Sequence, residues 1–274
     1  MRFFVITLLI TPVLSAREKD PVYSGSHDID KIVVPVNMIN DEYRGSTFFF
    51  VMKDYKGLYV SINGTVTKLL DDGTDVTSTN DMTDKVFFAT KRGIYIYNPK
   101  KNTADKYGNF DQELIGIANE NVNDTIFVLT KDKEVFKVVD NGTMKFETNY
   151  TNVDQIMLDN LNNLYFLIGK DPYVVTENEG VKKVEGLPVN PSYVKLAKHV
   201  EIVYDGIIFI SDKTLFSINT NGIAEGFTGN EFDVALTAVS VEDVSKNYYA
   251  YDKKIYEMNI GEIIFMNIYC ISPV

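Results

Sequence analysis

Six copies of a two-run pattern constrain the fold of this chain more than any other feature of its sequence. In each copy, an apolar run such as Ile126-Phe127-Val128 precedes a second run that carries an aromatic residue. The second-run aromatics are Tyr59, Tyr95, Phe136, Tyr173, Phe216 and Tyr256. They lie 36, 41, 37, 43 and 40 residues apart. Repeats of this length built from short strands are typical of a β-propeller with one sheet per repeat.

The third copy predicts four strands, a to d, over 114–119, 125–130, 134–139 and 143–148. Asn-Gly turns such as Asn63-Gly64 and Asn141-Gly142 separate the runs, as in β-hairpins. The sequence therefore predicts an all-β fold, a six-bladed β-propeller with four-stranded antiparallel blades. A pair of β-sandwich domains is the alternative, but no Pro/Gly/Ser-rich linker divides the chain. The strand-c aromatics are expected in the core between blades.

The N-terminal residues are expected to lie outside the propeller. Residues 1–16 have the layout of a secretory signal peptide, with cleavage after Ser15 or Ala16. Residues 17–30 are polar and predicted to be loose, and 31–274 form the single propeller domain. Either 31–36 or 262–270 is expected to supply the strand that closes the ring. No other apolar stretch is long enough to cross a membrane, so the mature protein is expected to be secreted.

Composition disfavours two classes of partner and excludes an internal disulfide. The net charge of −11 disfavours nucleic acid and anionic membranes as partners. Cys270 is the single cysteine, so no internal disulfide can form. Four N-glycosylation sequons are expected to be used in part, and they begin at Asn63, Asn123, Asn141 and Asn149.

The two predicted rims of the propeller differ in charge. The a–b turns are rich in acidic and amide side chains, which are ordinary turn formers. Each b–c turn carries a lysine, and the set is Lys53, Lys91 with Arg92, Lys131, Lys170, Lys213 and Lys253. Solvated hairpin tips favour polar residues in any case, so repeat consensus also explains the lysines. The functional hypothesis is that this rim binds an anionic ligand, with Tyr55 and Tyr251 as stacking partners.

Catalytic motifs are not found in the sequence. His27 and His199 are the only histidines and lie far apart in the repeat frame, which disfavours a histidine dyad. Hydrolases with a calcium ion in the propeller channel are the enzymatic alternative. The carboxylates Asp75, Glu113, Asp154 and Asp233 near the strand-a starts are candidates for such a site, although their spacing is not diagnostic. We therefore expect no catalytic residue and no metal.

The chain resembles the insect ommochrome-binding proteins in its secretory start, its length, its near-absence of cysteine and copies of the form NNLYFLIGKDPYVV (162–175). The copies are also similar to six-bladed propellers of the gluconolactonase and NHL kind. The first resemblance implies a haemolymph carrier that binds an ommochrome, a flat anionic phenoxazinone pigment, without covalent attachment or turnover. It implies no cofactor and transfers no ligand residue. A calcium-dependent lactonase or esterase, and a propeller that binds only other proteins, remain alternatives.

Overall fold

Six four-stranded antiparallel sheets follow one another along the chain. They are seen in a computed structural model that describes residues 20–35, 47–79, 83, 85–121, 124–176, 180–198, 206–240 and 247–258. Within these residues the secondary structure is all β. They include no helix that is long and apolar enough to cross a membrane. The predicted six-bladed β-propeller is confirmed.

The strands of the first three blades agree closely with the sequence pattern. After β1 (Tyr23–Ser24), the strands of blade 1 are β2 (Ile29–Val33), β3 (Thr47–Met52), β4 (Gly57–Ile62) and β5 (Thr65–Leu70). Blade 2 contains β6 (Gly73–Ser78), β7 (Val86–Thr90), β8 (Gly93–Asn98) and β9 (Thr103–Lys106). Blade 3 contains β10 (Leu114–Asn119), β11 (Ile126–Thr130), β12 (Glu134–Val139) and β13 (Met144–Thr151).

The last three blades repeat the same meander. Blade 4 contains β14 (Gln155–Leu158), β15 (Leu164–Ile168), β16 (Asp171–Thr176) and β17 (Gly180–Lys183). Blade 5 contains β18 (Val194–Lys198), β19 (Ile207–Ser211), β20 (Thr214–Ile218) and β21 (Ala224–Glu231). Blade 6 contains β22 (Ala238–Ser240), β23 (Asn247–Tyr251) and β24 (Lys254–Met258), and its fourth strand is β1.

The strand that closes the ring comes from neither segment expected to supply it. β1 pairs with β24, with Tyr23 opposite Ile255, and the Val22 amide donates to the Ile255 carbonyl at 2.8 Å. The expectation that 17–30 is loose is therefore wrong at β1, because its backbone groups complete the last sheet. Of 31–36, the first three residues belong instead to β2, the inner strand of blade 1. The other candidate, 262–270, and the signal segment lie outside the described residues.

The second strand of each blade is buried on both faces, which explains the continuous apolar runs. In β3, Phe48 and Phe50 contact blade 6 residues such as Tyr248, whereas Phe49 faces blade 2 and packs near Phe88. Successive side chains of a strand point to opposite faces, so one apolar run serves two inter-blade cores. Six such clusters lie between adjacent blades.

The strand-c aromatics lie opposite strand-b residues in the antiparallel register. The pairs are Phe50 with Tyr59, Phe88 with Tyr95, Val128 with Phe136, Phe166 with Tyr173, Phe209 with Phe216, and Tyr249 with Tyr256. Phe136 and Tyr256 are buried, and the other four are partly buried against inter-blade clusters. The predicted core role of these aromatics is confirmed, and each aromatic is also stabilised by its cross-strand neighbour.

The first strand of each blade lines a central channel, because these strands contact one another around the ring. The starts of three of them lie beside the b–c turns. Backbone amides of Lys53, Lys91 and Lys131 donate to carbonyl oxygens that precede β2, β6 and β10, at 2.9, 3.4 and 3.0 Å. The b–c rim and the starts of the inner strands are therefore on the same side of the molecule.

Candidate functional site

Three β-bulges shape the mouth of the channel on the b–c side. In blades 1, 2 and 3 the pairing of the first two strands skips one residue of the inner strand: Asp30, Thr74 and Ile115. A bulge re-aims the side chain at the extra residue. All three of these residues line one open cavity at the mouth.

The mouth cavity has a volume of about 250 Å³ and a mixed lining. Its charged and polar residues are Asp30, Lys31, Thr74, Asp75, Asp154, Gln155, Tyr193 and Lys195. Ile115, Leu167 and Val194 supply apolar wall. Clefts that bind small molecules commonly combine apolar walls with a few fixed polar groups.

Lys31 is held at the mouth by Asp75. The Lys31 ammonium lies 2.7 Å from the Asp75 carboxylate, and both side chains are largely buried, at 13% and 10% exposure. The same carboxylate accepts backbone N–H groups of Val76 at 2.8 Å and of Ile117 at 2.9 Å. Asp75 therefore fixes Lys31 in place and links blades 1, 2 and 3.

A second ion pair joins blade 5 to blade 1. The Lys195 ammonium lies 2.7 Å from the Asp30 carboxylate and also donates to the backbone carbonyls of Asp30 and Thr237. Burial opposes ionisation of Asp30, but the charges of Lys195, Lys31 and Lys53 and the Lys195 hydrogen bond outweigh it. The pKa of Asp30 is therefore below its usual value.

Two further side chains join blades at the mouth. The Gln155 amide group donates to the Leu196 carbonyl at 3.0 Å and accepts the Leu196 N–H at 2.9 Å. The Tyr193 hydroxyl donates to the Thr237 carbonyl at 3.2 Å. Burial raises the pKa of Tyr193, and the nearby Asp30 and Asp28 carboxylates raise it further. Tyr193 is thus a neutral hydroxyl at ordinary pH.

Most cations of the b–c rim contact a segment that leads into an inner strand, which belongs to the same blade for Arg92 and Lys131 and to the next blade for Lys170 and Lys213. Arg92 makes two hydrogen bonds to Asp72, at 2.8 and 3.0 Å, and Lys131 lies 3.1 Å from Glu113. Lys170 donates to the Pro191 carbonyl, and Lys213 donates to the Asp233 carbonyl at 2.7 Å. These contacts give the repeated lysines a structural role at hairpin tips, beside the ligand role predicted from sequence.

The remaining rim residues lie on three different turns. The Lys91 ammonium lies 4.2 Å from the centre of the Tyr55 ring, so one predicted cation and one predicted aromatic do meet. Tyr251 stacks on Tyr256 with ring centres 4.8 Å apart. Lys53 and Lys253 are exposed turn residues. Within the described chain, the lining of the mouth cavity includes none of the nine residues predicted from sequence.

Of the four carboxylates considered for a metal site, Asp75 and Asp154 line the mouth cavity and Glu113 and Asp233 do not. Asp75 holds Lys31, Glu113 pairs with Lys131, and Asp154 lies 2.7 Å from the Lys133 ammonium. Asp233 is exposed. Among the residues that the structure describes, no group of three or more His, Cys, Asp or Glu could hold a metal ion.

The remaining predicted positions that the structure describes lie on the surface, on different segments. His27 hydrogen-bonds to Ser26 at 2.7 Å on the N-terminal segment. Asn63, Asn141 and Asn149 are exposed and therefore accessible to glycosylation. That they are glycosylated stays a prediction. Asn123, His199 and Cys270 fall in segments that the structure does not describe.

Comparisons with known proteins find the fold but no family. No family model matches the chain, and no curated protein matches it. Among solved structures, a presumptive gluconolactonase superposes with a TM-score of 0.63 at 7% identity, over 87% of this chain and 90% of that one. A streptogramin B lyase gives 0.58 at 14% identity, over 86% and 85%. Virginiamycin B lyase from Staphylococcus aureus gives 0.54 at 17% identity, over 85% and 84%.

These likenesses define the class of the protein as a six-bladed β-propeller with a fold shared by gluconolactonase-like and streptogramin-lyase-like proteins. At such identities they define the fold alone. The ommochrome-binding resemblance has no support among these comparisons.

Sequence reasoning missed the mouth residues because their convergence depends on bulges. Two of the carboxylates near the strand-a starts that were predicted as candidate metal ligands, Asp75 and Asp154, do line the cavity. The cations beside them, Lys31 and Lys195, were not singled out. The sequence did contain a signal for these two cations. In two of the six copies, a lysine lies at or near the start of the inner strand.

Proposed function

We propose that this propeller is a secreted, non-catalytic carrier of a small anionic aromatic ligand, of the ommochrome kind, bound at the mouth of the channel. The extracellular setting and the haemolymph rest on the N-terminal sequence and on the family resemblance. The site itself is argued from the mouth residues. We include glycosylation at the exposed sequons in this proposal.

The observation that carries the proposal is the Lys31 ammonium in the mouth cavity. A lysine has three N–H donors, and Asp75 is the hydrogen-bonded acceptor of one of them. Because Asp75 is itself anchored by two backbone amides, the ammonium is held before any ligand arrives. A preordered cation costs less conformational freedom on binding than a surface lysine does.

The lining of the cavity is mostly polar but includes apolar side chains on which a flat ring can lie. Ile115 and Leu167 lie on blades 3 and 4, and Tyr193 offers a neutral hydroxyl from blade 5. A cavity of about 250 Å³ is small for a tricyclic pigment. The ligand therefore enters edge-on with its carboxylate toward Lys31, and the rest of the ring system extends toward the b–c rim.

Binding of a phenoxazinone carboxylate, followed by its visible absorbance during titration, tests the proposal. Lys31→Gln should weaken binding about 10- to 150-fold, since a charge-assisted hydrogen bond is worth about 1.5–3 kcal/mol. Lys183→Gln is the matched control, because Lys183 also makes a 2.8 Å ion pair, with Asp171, and neither residue lines the cavity. Its affinity should stay within about twofold of the unmodified protein.

Other variants separate the competing sites and functions. If the triple change Lys91→Gln, Lys131→Gln and Lys213→Gln abolishes binding while Lys31→Gln does not, the ligand sits on the rim. Lactone hydrolysis that is lost with a chelator would instead establish the hydrolase alternative. A protein that binds no pigment and hydrolyses no lactone would leave protein recognition as the function.

A further inference from the structure

The outer strand of blade 3 is an exposed sheet edge with an apolar centre. β13 is the last strand of its sheet and pairs with β12. Two of its apolar side chains face solvent, since Met144 is 48% exposed and Phe146 is 50% exposed. Among the side chains that the structure describes, no other outer strand carries two exposed large apolar residues. An exposed strand edge with apolar side chains is a surface on which another chain can pair.

The backbone of this edge also presents hydrogen-bonding groups to solvent. The Asp140 carbonyl accepts the Thr143 N–H at 3.1 Å, which closes the two-residue turn that precedes β13. Along an antiparallel strand, the N–H and C=O groups of successive residues point alternately toward and away from the paired strand. Counted from Thr143, the residues whose backbone groups point away from β12 are Met144 and Phe146.

Two N-glycosylation sequons bracket these two apolar residues. Asn141-Gly142-Thr143 forms the turn before the strand, and Asn149-Tyr150-Thr151 forms its last three residues. Met144 lies three residues after the first acceptor, and Phe146 lies three residues before the second. Since a residue spans at most about 3.6 Å, each apolar residue is within about 11 Å of an acceptor, measured between Cα atoms. The asparagine and the threonine of both sequons are exposed.

Local contacts turn the second acceptor outward. The Thr148 hydroxyl donates to the Val135 carbonyl at 2.7 Å. The centre of the Tyr150 ring lies 5.3 Å from that of Phe166 in blade 4. These two inward side chains flank Asn149, and successive side chains of a strand point to opposite sides. The Asn149 side chain is therefore directed toward solvent, where it is exposed.

We propose that N-linked oligosaccharides on Asn141 and Asn149 cover the edge of blade 3 and keep it from pairing with the same edge of a second copy. The inference rests on the secretion and glycosylation included in the proposed function. In the transfer step, the asparagine amide nitrogen bonds to C1 of the first sugar and loses a proton, while the bond from C1 to a lipid-linked diphosphate carrier breaks and the diphosphate leaves. N-linked glycans are bulky and solubilising, so a pair at both ends of the edge excludes a second chain from its centre.

Without glycans, this edge is complementary to itself. In a two-fold antiparallel contact centred on Phe146, Lys145 of each copy lies opposite Glu147 of the other. Opposite charges on facing strands stabilise such a pair, and the outward backbone groups of Phe146 bond to those of its copy. Because the patch is small, the contact is weak and forms only at high protein concentration.

Intact mass and sedimentation equilibrium of the secreted glycoprotein test the proposal. The unmodified protein should carry glycans on both acceptors and stay monomeric up to about 100 μM. The double variant Asn141→Gln with Asn149→Gln should approach about twice the monomer mass at this concentration, and adding Phe146→Lys should restore the monomer. Asn63→Gln is the matched control and should stay monomeric. Asn63 is also an exposed sequon in a hairpin turn, but the strand that follows it, β5, carries no exposed large apolar side chain.

The two readouts separate failure of the shielding role from failure of the proposed function. A double variant that stays monomeric, while the unmodified protein carries both glycans, would overturn the shielding role and leave the pigment site untouched. A mass without glycan on these acceptors would refute glycosylation and the shielding role together, and pigment titration at the mouth would still decide the carrier function. If the double variant is not secreted, enzymatic trimming of the folded glycoprotein to one sugar per acceptor replaces it, and a trimmed protein that stays monomeric counts equally against the proposal.

Discussion

At the scale of single residues, Asp159 shows how one buried carboxylate orders a turn and joins two blades. It accepts N–H groups of Leu161 at 3.0 Å and Asn163 at 2.8 Å within its own turn, and of Gly206 in blade 5 at 3.0 Å. Burial raises the pKa of Asp159, against the lowering effect of these hydrogen bonds. In the sequence it is one of many Asx residues in a–b turns, so its turn was predictable but its link to blade 5 was not.

Replacing Asp159 should destabilise the protein markedly. In Asp159→Asn one acceptor oxygen becomes a donor that faces the Gly206 N–H, and a buried group left unpaired costs about 1–3 kcal/mol. We expect the free energy of unfolding in urea to fall by about 2 kcal/mol. Asp132→Asn, on an exposed b–c turn, should change it by less than about 0.5 kcal/mol. Equal effects of the two changes would contradict this account.

At the scale of elements, the two-residue strand β1 and the three bulges at the mouth depart from the simple repeat. The strand β1 is short and polar in sequence, so nothing local marks it. Its place is fixed by pairing with β24 and by the Tyr23 ring, whose centre lies 4.7 Å from that of Phe50. By contrast, β10 and β12 have the predicted bounds, because hydrophobic alternation and turn residues act locally.

Tyr23 should therefore matter more than its position near the N-terminus suggests. Tyr23→Ala removes an aromatic contact with Phe50 and weakens the closure between blades 6 and 1, so the free energy of unfolding should fall by about 2 kcal/mol. The neighbouring Val22→Ala is the control, since Val22 is 38% exposed. Urea denaturation of both variants measures the difference. A Tyr23 variant as stable as the Val22 variant would show that β1 does not hold the ring closed.

At the scale of the whole molecule, polar side chains tie the blades together around the mouth. Gln155 joins blades 4 and 5, Lys195 joins blade 5 to blades 6 and 1, and Asp75 joins blades 1, 2 and 3. The Lys195–Asp30 pair spans the point where the N- and C-terminal parts of the ring meet. It adds to the short pairing of β1 with β24.

The contribution of Asp30 to stability should depend on pH in a defined direction. Its pKa is lowered by folding, so its stabilising effect is present above the ordinary carboxyl pKa and is lost as pH falls through the folded pKa. Unfolding free energies of the unmodified protein and of Asp30→Asn should differ at pH 6 and converge as the pH falls below about 4. The exposed Asp252→Asn should show little difference at either pH. A difference that is constant with pH would rule out the ion pair as its source.

The sequence alone determined the number of blades, the four-stranded meander and the positions of the cross-strand aromatics. The reason is that each repeat contains its apolar runs and turn residues within about forty residues. Only the tertiary structure decided which strand closes the ring, where bulges turn Asp30, Thr74 and Ile115 into the mouth, and which charges pair. Those outcomes depend on contacts between residues far apart in the chain, such as Lys195 and Asp30, which are 165 positions apart. The lining of the mouth cavity comes from blades 1 to 5, so no single repeat contains it.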